Sequence, residues 1–236
     1  MDYELVTERL FQVLAAGDRN GARRIMTELR EAGAPAEEIT HEVFWPVLEM
    51  ISRLFRADQL GTLPHHYAMR LLRSLVDQAQ AEYAQRDRCA RKILMFSGAS
   101  EADELAGQLV SDLLEAGGYE IYFGGGGIAN DEVLGEVGEQ RPDVLLMFAS
   151  GPADAPNIRQ LIDNIRGIGA CPEMQIVVGG GIFNRAEGLA EEIGADLWAK
   201  NPRELLGKLE TERERRADDQ QRTVGRNRRP PKTQAA

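Results

Sequence analysis

A chain of 236 residues, 43% hydrophobic and 28% charged, has the length for two small domains and the apolar content for a buried core. Its longest apolar runs, Ile93–Phe96 and Val144–Ala149, fall far short of the roughly 20 residues that span a bilayer, and Met1-Asp2-Tyr3-Glu4 is unlike a secretory leader, so a cytoplasmic protein without membrane contact is expected. The net charge of −10 argues against a protein that coats nucleic acid, and two distant cysteines, Cys89 and Cys171, argue against a disulfide scaffold.

Residues 1–88 read as helices. Leu5, Leu10, Val13 and Leu14 lie near one helical stripe, and Gly17-Asp18 ends that helix and caps the next. Ala22, Ile25, Met26 and Leu29 form a second stripe, stopped by Gly33-Ala34-Pro35. A third helix over Ala36 to Phe55 carries Ile39, Val43, Val47, Met50, Ile51 and Leu54, with Pro46 expected to bend it. A fourth follows Pro64, with Met69, Leu72, Leu75, Val76 and Ala79 facing inward. Short connections between four amphipathic helices predict a four-helix bundle.

From residue 89 the pattern changes to β–α cycles. Ile93–Phe96 leads into Ser97-Gly98 and a helix from Ala102; Tyr119–Phe123 leads into Gly124–Gly127 and a helix from Asp131. Val144–Ala149 leads into Ser150-Gly151-Pro152 and a helix from Asn157; Gln175–Val178 leads into Gly179–Gly181 and a helix near Ala186. Asp196–Ala199 and Pro202 open a closing helix. Five such cycles over 89–210 predict an α/β domain, a five-stranded parallel flavodoxin-like (Rossmann-like) sheet with helices on both faces. From Thr211 on, eight basic residues face four acidic ones and Pro230-Pro231 follows, so 211–236 is expected to be a basic, disordered tail on an acidic body.

Ligands of open parallel sheets bind at the carboxyl ends of the strands. Small residues follow four of the five strands here, and runs of four and three glycines exceed what turns alone require. No phosphate-loop motif and no Gly-x-Gly-x-x-Gly after the first strand is present, so nucleotide chemistry is unsupported. No Gly-x-Ser-x-Gly elbow occurs either, and His41, His65 and His66 all lie in the helical part. No catalytic residue is assigned.

The order and spacing of several pieces carry a family resemblance over residues 1–208. They are Gly17-Asp18-Arg19 with Ala22, Glu42-Val43 through Pro46, Leu113 to Ile121, Arg141-Pro142-Asp143-Val144, Val178-Gly179-Gly180 and Gly194-Ala195-Asp196. Together they resemble the cobalamin (B12)-binding module of methionine synthase, corrinoid methyl carriers and light-sensing B12-dependent regulators. The resemblance implies a corrin ring held between the helical cap and the strand ends, its nucleotide tail in a slot beside the sheet. Carried onto this chain, the cofactor-binding positions are Ser97, Gly98, Glu104 and Gly107, then Phe148 and Ser150, then Gly179, Gly180 and Gly181.

The departures are informative. The family places Asp-x-His-x-x-Gly after the first strand, its His below cobalt; counted back from Gly107, the Asp position is Ala102 and the His position is Glu104. The serine of the tail slot aligns with Phe148. The family's Trp, nine residues and Glu-His above the ring become Phe55 and His65-His66. Phe55 is then expected to cover a ring face, and His65, His66 or Glu104 to reach the metal, cobalt or a haem iron. Three readings follow: a non-enzymatic corrinoid sensor or regulator, a methyl-carrier subunit feeding a separate methyltransferase, or a degenerate module serving as a protein-interaction, haem or small-ligand domain. The first is the one expected. Its protein partner would be a regulator or a methyltransferase, a homo-oligomer is compatible with it, and direct nucleic-acid binding is not expected without a DNA-binding domain.

Overall fold

The computed structural model describes residues 1–169 and 171–218. The first helix, α1 (Tyr3–Ala15), is capped by the Asp2 carboxylate, which accepts from the amide of Leu5. The next, α2 (Arg19–Glu31), is capped by Asp18, which accepts from Asn20 and Gly21. The predicted third helix is one continuous rod in three parts: α3 (Ala36–Ile39), a π-helical turn (Thr40–Phe44) and α4 (Trp45–Arg56). The wide turn has a cause at Pro46. Proline lacks the N–H that a regular helix would donate to the carbonyl of Glu42, and the Thr7 hydroxyl of α1 donates to that oxygen instead, at 3.3 Å. The amide of Trp45 meanwhile reaches back five residues to Thr40. A last bundle helix, α5 (Thr62–Gln80), starts after Gly61.

The connection over residues 81–91 then runs along the outside of the following helix and is pinned there. Tyr83 is buried with its hydroxyl 2.6 Å from that of Thr40. The amide of Cys89 donates to Gly118, whose φ of +96° and closeness to the Asp87 carbonyl leave no room for a side chain.

The α/β part follows the predicted cycles: β1 (Lys92–Ser97), α6 (Glu101–Ala116), β2 (Glu120–Gly126), α7 (Asn130–Gln140), β3 (Val144–Phe148), α8 (Asp154–Ile168), β4 (Gln175–Gly179), α9 (Gly181–Arg185), α10 (Leu189–Glu192), β5 (Leu197–Ala199) and α11 (Pro202–Thr211). All pairings are parallel and the order is β2-β1-β3-β4-β5, the flavodoxin-like arrangement. Strand residues alternate between two cores. Ile93, Met95, Val144, Leu146, Phe148 and Val177 face α6, α11 and the bundle, in one continuous apolar cluster with Leu10, Val47, Ile51 and Leu72. Leu94, Leu145, Met147, Ile176 and Val178 face α7 and α8.

Two of the motif acids hold the lower sheet edge. The Asp143 carboxylate accepts from the amide of Lys92, and buried Asp196 accepts from the amide of Ile176 while pairing with Arg166 at 2.7 Å. Each ties the start of one strand to its neighbour. The beginning of the expected disordered tail is docked rather than free. Gln175 donates to the carbonyls of Glu212 and Arg215, and Asp196 accepts from the amide of Ala217. The rest of that tail lies outside the described residues.

Candidate functional site

At the carboxyl end of the sheet, α4 of the bundle leans over the loops after β1, β3 and β4 and encloses an open cavity of about 410 Å³. Its roof is Trp45, Leu48 and Ser52; its floor is Ala102, Asp103, Ala106, Phe148 and Ser150; Gly181 and Asn184 close one side. Arg53, Arg56 and Arg185 ring the mouth. Of the positions expected from sequence, the structure brings Phe148, Ser150 and Gly181 to this cavity.

Asp103 is the acid in the floor, 3% exposed. Ser100, the N-cap of α6, accepts from the Asp103 amide and donates its hydroxyl to Asp103 Oδ2 at 2.6 Å. Burial pushes the Asp103 carboxyl above the ordinary range, the Ser100 and Ser150 groups pull it back, and Asp154 adds to the rise. Gly98 makes room for this carboxyl, because a Cβ there would stand 2.6 Å from Asp103 Oδ2. Arg185 donates to the carbonyl of Ser150 and fixes the opposite wall.

Beside this cavity the sheet shows where a slot would run between α6 and α11. Trp45, Leu146, Phe148, Gly179, Gly180 and Leu205 border a void of only about 10 Å³ there, roughly the room of one water. Phe148 fills it, 8% exposed and edge-on to Trp45 with ring centroids 6.0 Å apart. Gly180, at φ +102°, passes so close to Ala149 that a Cβ would meet its carbonyl oxygen. Gly179 and Gly180 therefore serve close packing behind Phe148, not open access.

Other expected positions lie elsewhere. Glu104, half-buried on α6, is not in the cavity wall: counting the motif back from Gly107 points one residue past the acid that is. Gly107 and Ser97 belong to helix–sheet packing, since a Cβ on Gly107 would stand 2.6 Å from the Phe123 ring and 3.4 Å from Ser97. Phe55, His65 and His66 are also outside the wall. Phe55 turns to the far side of α4 and stacks on His65 at 3.9 Å, and His66 Nδ1 stands 3.7 Å from Glu101 Oε2. No histidine of the chain lines the cavity; His41 sits under α11.

The glycine run is explained by the sheet. Gly124, Gly125 and Gly126 are the end of β2 itself. A Cβ on Gly124 would meet the Phe96 ring at 2.6 Å and one on Gly126 the Gly98 carbonyl oxygen. The run lets β2 close against the loop after β1 and contributes nothing to the cavity. Sequence reasoning missed Asp103, Trp45 and the three arginines. Asp103 carried a signal, because Ser100-x-x-Asp103 is a helix-capping spacing that places the acid in the first turn of α6. The arginines carried none.

Comparison with known proteins agrees with this architecture. Two family models, each described as a B12 binding domain, match residues 91–206 and 6–80. Among solved structures, the monomethylamine corrinoid protein of Methanosarcina barkeri superposes with a TM-score of 0.66 at 19% identity, over 89% of this chain and 98% of that one. A cobalamin-binding protein of Desulfitobacterium hafniense DCB-2 (TM-score 0.48, 15% identity) covers 89% and 98% of the two chains. The methanol:cobalamin methyltransferase complex MtaBC of Methanosarcina barkeri (TM-score 0.48, 12% identity) covers 92% and 83%. No curated protein sequence matches.

Proposed function

The chain belongs to the cobalamin (B12)-binding module family, and from that premise we propose a regulatory, non-catalytic member that holds its corrinoid with the corrinoid's own base kept on cobalt. The observation that carries this reading is Phe148 wedged against Trp45. With about 10 Å³ left beside the sheet, a displaced nucleotide tail has no slot to enter. The cavity between α4 and the strand ends does suit part of a flat macrocycle, with a lining that is mostly apolar and arginines at the rim. Its floor offers cobalt no imidazole. Burial raises the Asp103 carboxyl, and one of its oxygens already accepts from the Ser100 hydroxyl. Bound cobalamin would bring a reactive cobalt–carbon or cobalt–oxygen bond. This chain's residues supply the enclosure: Trp45 and Leu48 exclude water from one side, and Asn184 and the three arginines meet the amide and phosphate periphery.

Without a protein imidazole to tune cobalt, repeated methyl transfer is poorly served, and a response to corrinoid binding or photolysis read by a protein partner fits better. Haem is the second reading, favoured by one observation: Arg53, Arg56 and Arg185 around the mouth match a pair of propionates. The lack of a histidine in the wall weighs against it. The deciding experiment is a visible spectrum after dark incubation with hydroxocobalamin or adenosylcobalamin and desalting. Retained corrin bands with the base-on shape are expected. A base-off spectrum, or a colourless protein that takes up haem, would overturn the reading.

A further inference from the structure

We propose that His65, His66 and Glu101 form a binding site for a divalent transition metal of the zinc class, separate from the corrinoid cavity and joining the helical bundle to the α/β unit. The two histidines lie just inside the amino end of α5, which begins at Thr62, and Glu101 is the first residue of α6. One ring nitrogen from each imidazole and one Glu101 oxygen lie within 4.8 Å of one another. The three come from elements that meet only where the bundle packs on the sheet domain.

Each side chain is prepared differently. His65 is 8% exposed, and the Phe55 ring lies almost parallel to it, 3.9 Å away and tilted by 21°, which fixes the imidazole plane. Its Nδ1 is buried without a hydrogen-bond partner, the kind of orphaned group that folded proteins seldom keep without a purpose. Burial lowers the basicity of this ring, against the pull of Glu101, and so works against its charged form. His66 and Glu101 are half-exposed and stand 3.7 Å apart, Nδ1 to Oε2. They give an ion its route in and leave coordination positions to water.

Two imidazoles and a carboxylate are a borderline donor set. They suit zinc, cobalt(II) or nickel and are a poor match for calcium or magnesium, which take oxygen. Donor atoms of one tetrahedral ion stand about 3.3 Å apart, so the exposed pair must rotate inward while His65 stays where Phe55 holds it. The amino ends of α5 and α6 both point toward the cluster and oppose a cation. None of the three residues lines the corrinoid cavity, so the site does not depend on the corrinoid reading.

The test uses the full chain, chelator-stripped and corrinoid-free, titrated with Zn²⁺ by calorimetry and with Co²⁺ for its d–d absorption. One ion per chain is expected, with tetrahedral-type cobalt bands. Glu101→Gln and His66→Asn, both at partly exposed positions, should each weaken uptake at least ~10-fold with unchanged thermal melting of the metal-free protein. His65→Ala should abolish uptake, its fold checked by circular dichroism. No uptake by the wild type, or the same uptake by a Glu101→Gln/His66→Asn double variant, would overturn the proposal. Cobalamin retention is scored on the same double variant. Retention alongside lost zinc supports two sites, whereas joint loss would show that the cluster is part of the corrinoid site and overturn the separation.

Discussion

Asp112 sits mid-helix in α6, 8% exposed, with one carboxylate oxygen lacking a hydrogen bond. Burial pushes its carboxyl up to about 7, and the nearby charges of Glu115 and Asp77 add to the rise. A folded-state value above the unfolded one means that the native state binds the proton more tightly. The stability tied to that proton is present below pH 4 and is lost as pH rises toward 7. Asp112→Asn should therefore raise stability by about 2 kcal/mol at pH 8, the full linkage value discounted for solvent screening, and by little at pH 4. Urea unfolding at the two pH values checks the sign, and equal gains at both would contradict it. Asp103 shares the direction and its chief cause, but its place in the cavity floor was not legible in the sequence. An acid in the first turn of a helix is ordinary, and only the packing of Gly98 and Ser150 around it shows that it lines the cavity under α4. Phe148, by contrast, stood out in the sequence as a bulky residue at the position of the family's tail-slot serine.

Between Thr40 and Phe44 a proline's missing hydrogen becomes a helix irregularity with a contact of its own. The Thr7 hydroxyl replaces the Pro46 amide as donor to Glu42, so Thr7→Val, nearly the same shape, should cost about 1 kcal/mol in chemical denaturation. A loss near zero would mean that the carbonyl is satisfied otherwise. An irregularity near Pro46 was readable from sequence; its form, an inserted wide turn, was not, because the partner lies 35 residues away in α1. The glycine run at the end of β2 failed in the opposite direction. Its composition suggested ligand access, whereas its register against Ser97 and Gly98 shows close strand packing. Strand spacing depends on what lies opposite, and a sequence does not carry that.

At the scale of the molecule, the parallel sheet and helical cap were legible because hydrophobic period and turn residues agree along nearly the whole chain. The contact that closes the slot was not, since it joins Phe148 and Trp45 from different domains. Phe148→Ala should open it at a cost of about 3 kcal/mol, and should let cobalamin bind with its base displaced. An unchanged base-on spectrum in that variant would show that another residue blocks the tail. The apolar cluster that runs from Leu10 and Leu72 through α6 into β1 and β3 has a further consequence. Neither part can melt and leave the other with a covered surface, so cap and sheet should unfold as one cooperative unit. Native-state hydrogen exchange should then give the slowest amides of α5 and those of β1 the same opening free energy. Ligand entry would have to proceed through fluctuations near the mouth, with the cap never lifting free.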